Sequence, residues 1–230
     1  MQIHGLSKLT LLDYPGHTAA TIFTGGCNMR CPYCHNMELV LHPETYPSIA
    51  EEEVLDFLKK RIGILQGVCI TGGEATLQPD LGDFIRKIRE LGFLVKLDTN
   101  GYRPEVLKQF LEDGILNYVA MDIKNSREKY AQTVGLPKMD ISRIEESVEL
   151  LINSTIDYEF RTTVIREMHE KEDFEAMGEW IRGAKAYYLQ SFVESEGVLC
   201  PGFSPWDKEH LEEFAELVKK YVPNVSVRGV

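Results

Sequence analysis

The chain has no long hydrophobic run, no excess of positive charge and no linker-like segment. Its apolar stretches fall short of the roughly 18 residues of a membrane span, so no membrane association is expected. Lys and Arg total 25 against 36 Asp and Glu, a net charge of −11. Such a surface repels phosphate backbones, which disfavours nucleic-acid binding. No Pro-, Gly- or Ser-rich tract divides the chain, and one domain over residues 1–230 is expected.

The amino-terminal residues also lack the charged and apolar regions of a signal peptide. The cytoplasm is therefore the expected location. Five cysteines are an odd number, and three of them fall within eight residues. This arrangement argues against a disulfide scaffold and indicates a metal or redox cluster in a reducing compartment.

Short β-rich runs alternate with amphipathic helical patterns along the chain. The spacing predicts strands over residues 18–24, 67–71, 94–98, 118–123, 157–164 and 186–192, and helices over residues 50–61, 81–91, 104–112, 140–153, 171–182 and 207–221, with a short β-rich run over 225–227. Alternation of this kind predicts parallel β/α units. A closed barrel has eight units in about 250 residues, so six units predict an α/β fold of the incomplete (β/α)6 barrel type. A doubly wound sheet is the alternative.

Local signals support several helix ends. Ser48 and Glu51 have the spacing of a capping box before the first predicted helix. Gly92, Gly114 and Gly183 follow helical runs, where a left-handed residue is often needed.

A cysteine loop follows the first predicted strand. Cys27, Cys31 and Cys34 have the spacing Cys-x3-Cys-x2-Cys and are preceded by two glycines, so three thiolates can converge on one soft metal centre. One interpretation is a structural zinc site completed by His35 or His17. However, no second Cys-x2-Cys follows downstream. Three ligands and one open position suit an iron–sulfur cluster that binds a substrate at its free iron.

Polar residues lie at the carboxyl ends of later strands, as they do in barrel enzymes. The segments are Thr-Gly-Gly-Glu at 71–74, Asp-Thr-Asn-Gly at 98–101 and Met-Asp-Ile-Lys at 121–124. Strand alternation places Asp122 and Lys124 on one face and Glu159, Arg161 and Thr163 on one face of the next strand. Buried charges are costly unless paired or bound to a ligand, so these side chains predict either an internal salt-bridge network or a polar ligand.

The cysteine spacing, with aromatic Tyr33 before the last cysteine, resembles the signature of the radical S-adenosylmethionine superfamily. The resemblance implies a [4Fe–4S] cluster held by Cys27, Cys31 and Cys34. It also implies that S-adenosylmethionine binds the open fourth iron and that one electron cleaves it to methionine and a 5′-deoxyadenosyl radical.

Gly-Gly-Glu at 72–74 resembles the Gly-Gly-Glu-Pro motif of that superfamily, with Ala75 in place of proline as in activators of glycyl radical enzymes. By this resemblance Asp98, Thr99 and Asp122 lie near the cofactor's carboxylate, where a monovalent cation is a further expectation, and Lys124 and Arg161 contact its ribose and carboxylate. The complete expected cofactor-binding set is Tyr33, Asn36, Gly72, Gly73, Glu74, Asp98, Thr99, Asp122, Lys124 and Arg161.

Within the activators, the chain is most similar to those of anaerobic ribonucleoside-triphosphate reductase. The similarity runs through Leu-Asp-Tyr-Pro-Gly at 12–16, Cys-Pro-Tyr-Cys-His-Asn at 31–36 and Tyr-Leu-Gln-Ser-Phe at 188–192. It implies that the substrate is a glycine in a partner enzyme and that flavodoxin or ferredoxin donates the electron. No general acid or base is required, because a carbon radical abstracts the hydrogen atom.

Three alternatives stay open at this point. The first is a pyruvate formate-lyase-type activator, which shares His35-Asn36 and Gly-Gly-Glu-Ala at 72–75. The second is a radical enzyme acting on a small molecule or RNA. The third is a structural zinc-binding module without enzymatic activity. Two cysteines have no predicted chemistry, since Cys69 has the pattern of a small core residue and Cys200 that of a loop thiol.

Overall fold

The computed structural model describes residues 1–195 and 197–230. Its strands form a sheet whose order follows the chain from β1 to β8. The strands are β1 (Ile3–Thr10), β2 (Ala19–Thr24), β3 (Gly67–Gly72), β4 (Leu94–Thr99), β5 (Tyr118–Asp122), β6 (Asp157–Val164), β7 (Tyr187–Ser191) and β8 (Val225–Arg228). The helices are α1 (Met37–Leu41), α2 (Glu51–Lys59), α3 (Leu81–Glu90), α4 (Pro104–Glu112), α5 (Arg127–Thr133), α6 (Ser142–Ile152), α7 (Lys171–Trp180) and α8 (Lys208–Lys219).

The strand order distinguishes between the two predicted architectures. A doubly wound sheet starts in its middle and reverses direction once. Here each strand neighbours those before and after it in the sequence. The doubly wound alternative is therefore wrong, and the order is that expected of an incomplete barrel.

The six predicted strands are all present, with bounds within one residue of the prediction, as β2 to β7. Strand β1 was not predicted, because only Ile3 in it is fully buried and its sequence lacks a long apolar alternation. It pairs antiparallel with β2. The short carboxyl-terminal run is also a strand, β8, which pairs parallel with β7.

The six predicted helices are present, and α1 and α5 are additional. The capping-box prediction is wrong, because α2 starts at Glu51 with Ala50 as its N-cap. The amide of Ile49 instead donates to the carbonyl of Ile3 at 2.8 Å, which pairs the segment containing Ser48 with β1. None of the helices in the described ranges has both the length and the apolar character needed to cross a bilayer.

The glycine predictions are confirmed. Gly92, Gly114 and Gly183 follow α3, α4 and α7 with φ values of 91°, 63° and 85°. These angles lie in the left-handed region that glycine enters without the steric cost of a Cβ atom. Each glycine therefore ends its helical segment as the sequence indicated.

The chain divides into two compact units. The first comprises Met1–Asn28, Asn36–Thr99 and Arg103–Val119. Its strands β2, β3 and β4 are parallel, with Thr24 opposite Gly72. Ile22, Ile70 and Leu97 are fully buried, as expected when both faces of a parallel sheet are covered. The carboxyl ends of these strands consequently meet at one edge.

The second unit comprises Met29–His35, Asn100–Tyr102 and Ala120–Val230. Its strands β6, β7 and β8 are parallel, with Arg161 opposite Tyr188. Helices α7 and α8 pack together through Phe174 and Phe214, whose rings stack at 4.4 Å between centroids. Their apolar faces cover one side of these strands, leaving the other for polar side chains. The expectation of one domain over residues 1–230 stays a prediction.

Candidate functional site

The start of the cysteine loop is fastened to the first unit by its backbone. The amide of Gly25 donates to the carbonyl of Gln2 at 3.1 Å, and the amide of Gly26 to the carbonyl of Leu39 at 2.7 Å. The side chain of Gln78 donates to the carbonyl of Gly25 at 2.9 Å. Gly26 has a φ of 81°, so the turn that leads into the first cysteine depends on glycine.

The rest of the loop, Met29–His35, belongs to the second unit and is also fixed by backbone hydrogen bonds. The amide of Cys200 donates to the carbonyl of Pro32 at 2.8 Å, and the amide of Leu199 to the carbonyl of Cys34 at 3.2 Å. Cys200 is exposed, as predicted. Its bond to the loop is made by its backbone amide.

The three cysteines of the motif are not joined in disulfides, and their surroundings differ. Cys27 and Cys34 are half-buried and Cys31 is buried. Burial raises the pKa of Cys31 to about 11, although the charge of Lys124 opposes the rise. Among the described residues, no three or more His, Cys, Asp or Glu side chains are already gathered as ligands for a metal ion. The ligand assignment therefore depends on the motif.

The Gly72-Gly73 turn is packed too tightly for any side chain. A Cβ atom at Gly72, where φ is 122°, would lie 2.3 Å from the backbone nitrogen and oxygen of Thr24. A Cβ atom at Gly73 would lie 2.0 Å from the carbonyl oxygen of Gly26. Asn36 donates its side-chain amide to the carbonyl of Gly72 at 2.9 Å. Glycine at both positions is therefore needed to bring this turn against the residues preceding Cys27.

Glu74 and Thr99 bond to each other within the first unit. The carboxylate of Glu74 is 1% exposed and accepts hydrogen bonds from the hydroxyl of Thr99 at 2.7 Å and the hydroxyl of Thr76 at 2.6 Å. The amide of Thr76 adds a third donor at 3.2 Å. These bonds satisfy a buried charge that would otherwise be costly. They also link the carboxyl ends of β3 and β4.

Asp98 is paired with a lysine that the sequence interpretation did not include. The ammonium of Lys96, 1% exposed, forms an ion pair with the Asp98 carboxylate. The Cys69 sulfur lies 3.7 Å from Asp98 Oδ1 and 3.8 Å from Lys96 Nζ. The Tyr118 ring centroid is 6.0 Å from Lys96 Nζ. Cys69 is a buried core residue as predicted, but it adjoins an ion pair. Because residues two apart share a strand face, Lys96 and Asp98 could have been connected from the sequence.

In the second unit, Asp122 has two cationic partners. Lys124 Nζ lies 2.9 Å from Asp122 Oδ2, and Arg161 Nε lies 3.0 Å from Asp122 Oδ1. Burial acts to raise the pKa of Asp122, but the charges and hydrogen bonds of the two cations outweigh it and lower the pKa to about 2. The same cluster, chiefly through Asp122, holds the pKa of Lys124 well above its usual value despite burial. All three groups are therefore charged at neutral pH, with one net positive charge.

Two buried side chains contact the backbone of the residues that form this cluster. Tyr130 donates its hydroxyl to the carbonyl of Asp122 at 3.3 Å. The buried ring of His169 lies with Nε2 2.8 Å from the carbonyl of Lys124, and its Nδ1 accepts from the amide of Ile165 at 3.0 Å. Because Nδ1 is the acceptor, Nε2 carries the proton, and burial lowers the pKa of His169. Neither residue was predicted, since neither belongs to a motif.

Glu159, predicted to share a strand face with Arg161, is also paired. Arg228 donates two hydrogen bonds to its carboxylate, from Nη1 to Oε1 at 2.9 Å and from Nη2 to Oε2 at 3.0 Å. The Arg228 guanidinium carbon also lies 3.3 Å from the ring centroid of Tyr188. This contact ties β8 to β6 and β7. It assigns Tyr188, at the start of the Tyr-Leu-Gln-Ser-Phe segment, a packing role.

Tyr33 differs from these residues because its hydroxyl forms no hydrogen bond with the described residues. Its side chain is 3% exposed, and its hydroxyl has no hydrogen-bond partner in the described part of the chain. Burial raises the pKa of Tyr33 well above its usual value, so the phenol is neutral. The ring of Phe203 meets it edge-on at 6.5 Å between centroids. A buried, unsatisfied hydroxyl is costly, and a bound polar ligand would relieve that cost.

Comparison with known proteins agrees with these features. The Radical SAM superfamily profile matches residues 21–181. A Methanocaldococcus jannaschii protein assigned as a glycyl-radical enzyme activating enzyme is 34% identical over 99% of this chain and 96% of its own length. The pyruvate formate-lyase 1-activating enzyme of Escherichia coli K12 is 29% identical over 79% of this chain and 75% of its own length.

A solved structure supports the fold. Streptococcus suis SuiB bound to S-adenosylmethionine matches 89% of this chain with a TM-score of 0.68 and 14% identity. The match covers 48% of SuiB, so the chain spans about half the length of that protein. At this level of identity the similarity shows the fold alone. The shared fold confirms the incomplete barrel.

The residues present fit the cofactors of this superfamily. The motif supplies three cysteine thiols that are not in disulfides, and cysteine sulfur is the donor that iron–sulfur clusters require. The unpartnered Tyr33 hydroxyl and the cationic Asp122–Lys124–Arg161 cluster suit a polar ligand with a carboxylate. The structural zinc module is set aside. The chain belongs to the radical SAM superfamily, whose enzymes use a [4Fe–4S] cluster and S-adenosylmethionine, and within it to the glycyl-radical enzyme activating enzymes.

Proposed function

We propose that this enzyme generates a glycyl radical on anaerobic ribonucleoside-triphosphate reductase. The observation that carries the proposal is the Cys27-x3-Cys31-x2-Cys34 motif in a chain that matches an assigned activating enzyme over 99% of its length. The Leu-Asp-Tyr-Pro-Gly segment at 12–16 supports the reductase as partner, because activators of pyruvate formate-lyase usually have Asp-Gly-Pro-Gly there.

Cys27, Cys31 and Cys34 would hold the cluster. When bound, the cluster and S-adenosylmethionine supply a carbon radical that removes one hydrogen atom from the target glycine. The protein's contribution before that is the hydrogen-bonded loop, which carries all three cysteines within eight residues. Metal binding must also remove the Cys31 proton, which burial otherwise retains.

The proposed S-adenosylmethionine contacts divide by their chemistry. In the second unit, Lys124 and Arg161 supply positive charge for a carboxylate, and Asp122 fixes the position of both. Tyr33 supplies an unpartnered hydroxyl. In the first unit, Gly72 and Gly73 supply backbone that a ligand can approach closely, because neither residue has a side chain.

The other proposed residues of the first unit position that backbone. Asn36 anchors Gly72, and Thr99 anchors Glu74. Asp98 is held by Lys96. Because each of these side chains is bonded within the protein, their proposed effect on the cofactor is indirect, through the backbone and the charges that they fix. No side chain is proposed as a general acid or base.

The test of function is electron paramagnetic resonance under anaerobic conditions. The enzyme is reconstituted with iron and sulfide, reduced by flavodoxin or ferredoxin, and mixed with S-adenosylmethionine and the reductase. A glycyl doublet on the reductase, absent when the reductase glycine is replaced by Ala, is expected.

Pyruvate formate-lyase is assayed in parallel, because the Escherichia coli relative is named as its activator. A doublet only on pyruvate formate-lyase would overturn the choice of partner. Deoxyadenosine release that depends on a small molecule would overturn glycyl activation.

A further inference from the structure

We propose that the ammonium of Lys96 is a permanent internal counter-ion for Asp98, so this enzyme needs no bound alkali cation. The sequence led to the expectation of a monovalent cation near Asp98 and Asp122. The charges observed in each unit do not fit that ion.

In the first unit, the Asp98 carboxylate already has a cationic partner. Lys96 forms an ion pair with the carboxylate, and both residues lie on one face of β4. Lys96 is 1% exposed and Asp98 is 14% exposed at the side chain. The pair is electrically neutral, and an ammonium group has the single charge of an alkali ion. No net negative charge is therefore left at this carboxylate to attract a second cation.

The lysine is also held in place by its surroundings. The Cys69 sulfur contacts both members of the pair, at 3.8 Å from Lys96 Nζ and 3.7 Å from Asp98 Oδ1. Cys69 lies opposite Lys96 in the β3–β4 register. The ring of Tyr118 adds a weak attraction for the ammonium at 6.0 Å. These contacts, together with an exposure of 1%, place the ammonium inside the unit and away from solvent.

In the second unit, different residues also carry no net negative charge that would attract a cation. Asp122 is bonded to Lys124 at 2.9 Å and to Arg161 at 3.0 Å. That cluster carries one net positive charge, which repels a cation. The inference about Asp98 rests on the proposed function only in assigning this carboxylate to the cofactor region; the charge balance itself does not depend on it.

The test uses the full chain without cluster or S-adenosylmethionine, so its outcome is independent of whether the proposed reaction occurs. The probe is Na⁺, observed by ²³Na line broadening with K⁺ as competitor and tetramethylammonium as the inert control. The melting temperature is measured in the same salts at equal ionic strength. For the wild type, we expect no K⁺-displaceable broadening and the same melting temperature in every salt.

Lys96→Met removes the ammonium while retaining the apolar stem. We expect this variant to gain K⁺-displaceable broadening and a higher melting temperature in K⁺ than in tetramethylammonium. Lys96→Met/Asp98→Asn should lose both effects, because no carboxylate remains. Lys138→Met, at an exposed lysine, is the matched control and should behave as the wild type.

Two results would overturn the proposal. One is K⁺-displaceable broadening in the wild type that disappears in Asp98→Asn. The other is a folded Lys96→Met protein with no response to K⁺, which would show that the lysine does not stand in for an ion. If Lys96→Met does not fold, the comparison of wild type with Asp98→Asn decides alone.

Discussion

The hydroxyl of Thr99 at the end of β4 donates a 2.7 Å hydrogen bond to the buried carboxylate of Glu74 beyond β3. Thr99→Val keeps the shape of the side chain and removes this donor. We expect the free energy of unfolding to fall by about 1–3 kcal/mol, because a buried charged acceptor loses a partner. Urea denaturation followed by circular dichroism measures the change.

Thr99→Ser is the matched control, since it retains the hydroxyl and removes only a methyl group. Its loss should be clearly smaller than that of Thr99→Val. Equal losses in the two variants would show that packing, and not the bond to Glu74, accounts for the stability.

Replacing Gly73 should damage the turn through steric overlap. The new Cβ atom of Gly73→Ala would lie 2.0 Å from the carbonyl oxygen of Gly26, so a loss of about 3 kcal/mol or more is expected. Gly92→Ala is the control, because its Cβ atom meets nothing within 4 Å and only the φ of 91° is unfavourable. That strain costs about 1 kcal/mol. Denaturation midpoints that rank the two variants in the opposite order would contradict the packing described for Gly73.

Asp122 should make stability depend on pH in the acid range. Its folded pKa of about 2 lies below the ordinary value of 3.8, so the folded state binds the proton less readily than the unfolded chain. The resulting stabilisation is present above pH 4 and is lost as pH falls toward 2, by about 2 kcal/mol in total. Urea titrations at intervals from pH 5 to pH 2 measure it.

Asp122→Asn isolates this contribution from the other carboxyl groups. The stability difference between wild type and variant should shrink as pH falls through this window. A difference that stays constant from pH 5 to pH 2 would show that Asp122 is not held in its charged form by Lys124 and Arg161.

Thiol labelling should separate the cluster ligands from Cys200. In the cluster-free protein, the raised pKa of Cys31 makes its thiolate fraction at pH 8 roughly 100-fold smaller than that of an ordinary thiol. We therefore expect iodoacetamide to modify exposed Cys200 well before Cys31, as measured by peptide mass spectrometry.

After anaerobic reconstitution, Cys27, Cys31 and Cys34 should all be protected while Cys200 reacts at its earlier rate. Labelling of any of the three in protein with a full complement of iron and sulfide would remove that residue from the ligand set. Protection of Cys200 would add an unexpected ligand.

The elements that the sequence predicts well are those defined by burial. Strands β2 to β5 have mainly apolar, buried centres, and β6 alternates apolar with polar side chains. The bounds of β2 to β7 were correct to within one residue. Strand β1 was missed because it is held by backbone pairing with β2 and not by an apolar pattern. The same pairing, from Ile3 to Ile49, explains why the Ser48 capping box failed.

Site residues follow a similar division. Parallel strands place their carboxyl ends together, so the sequence could predict that Glu74 and Thr99 lie at one edge, but the bond between them depends on side-chain geometry. The sequence pattern did not single out Lys96, because one charged residue within an apolar run is still compatible with a strand. The unsatisfied hydroxyl of Tyr33 could not be predicted at all, since it depends on what every neighbouring group does.

The backbone bonds of the cysteine loop have a consequence for sequence variation. The carbonyls of Gln2 and Leu39 accept from the amides of Gly25 and Gly26, and the amides of Leu199 and Cys200 donate to carbonyls further along the loop. Every residue type except proline offers the same main-chain donor and acceptor. The side chains at these four positions can therefore vary while the loop keeps its backbone contacts.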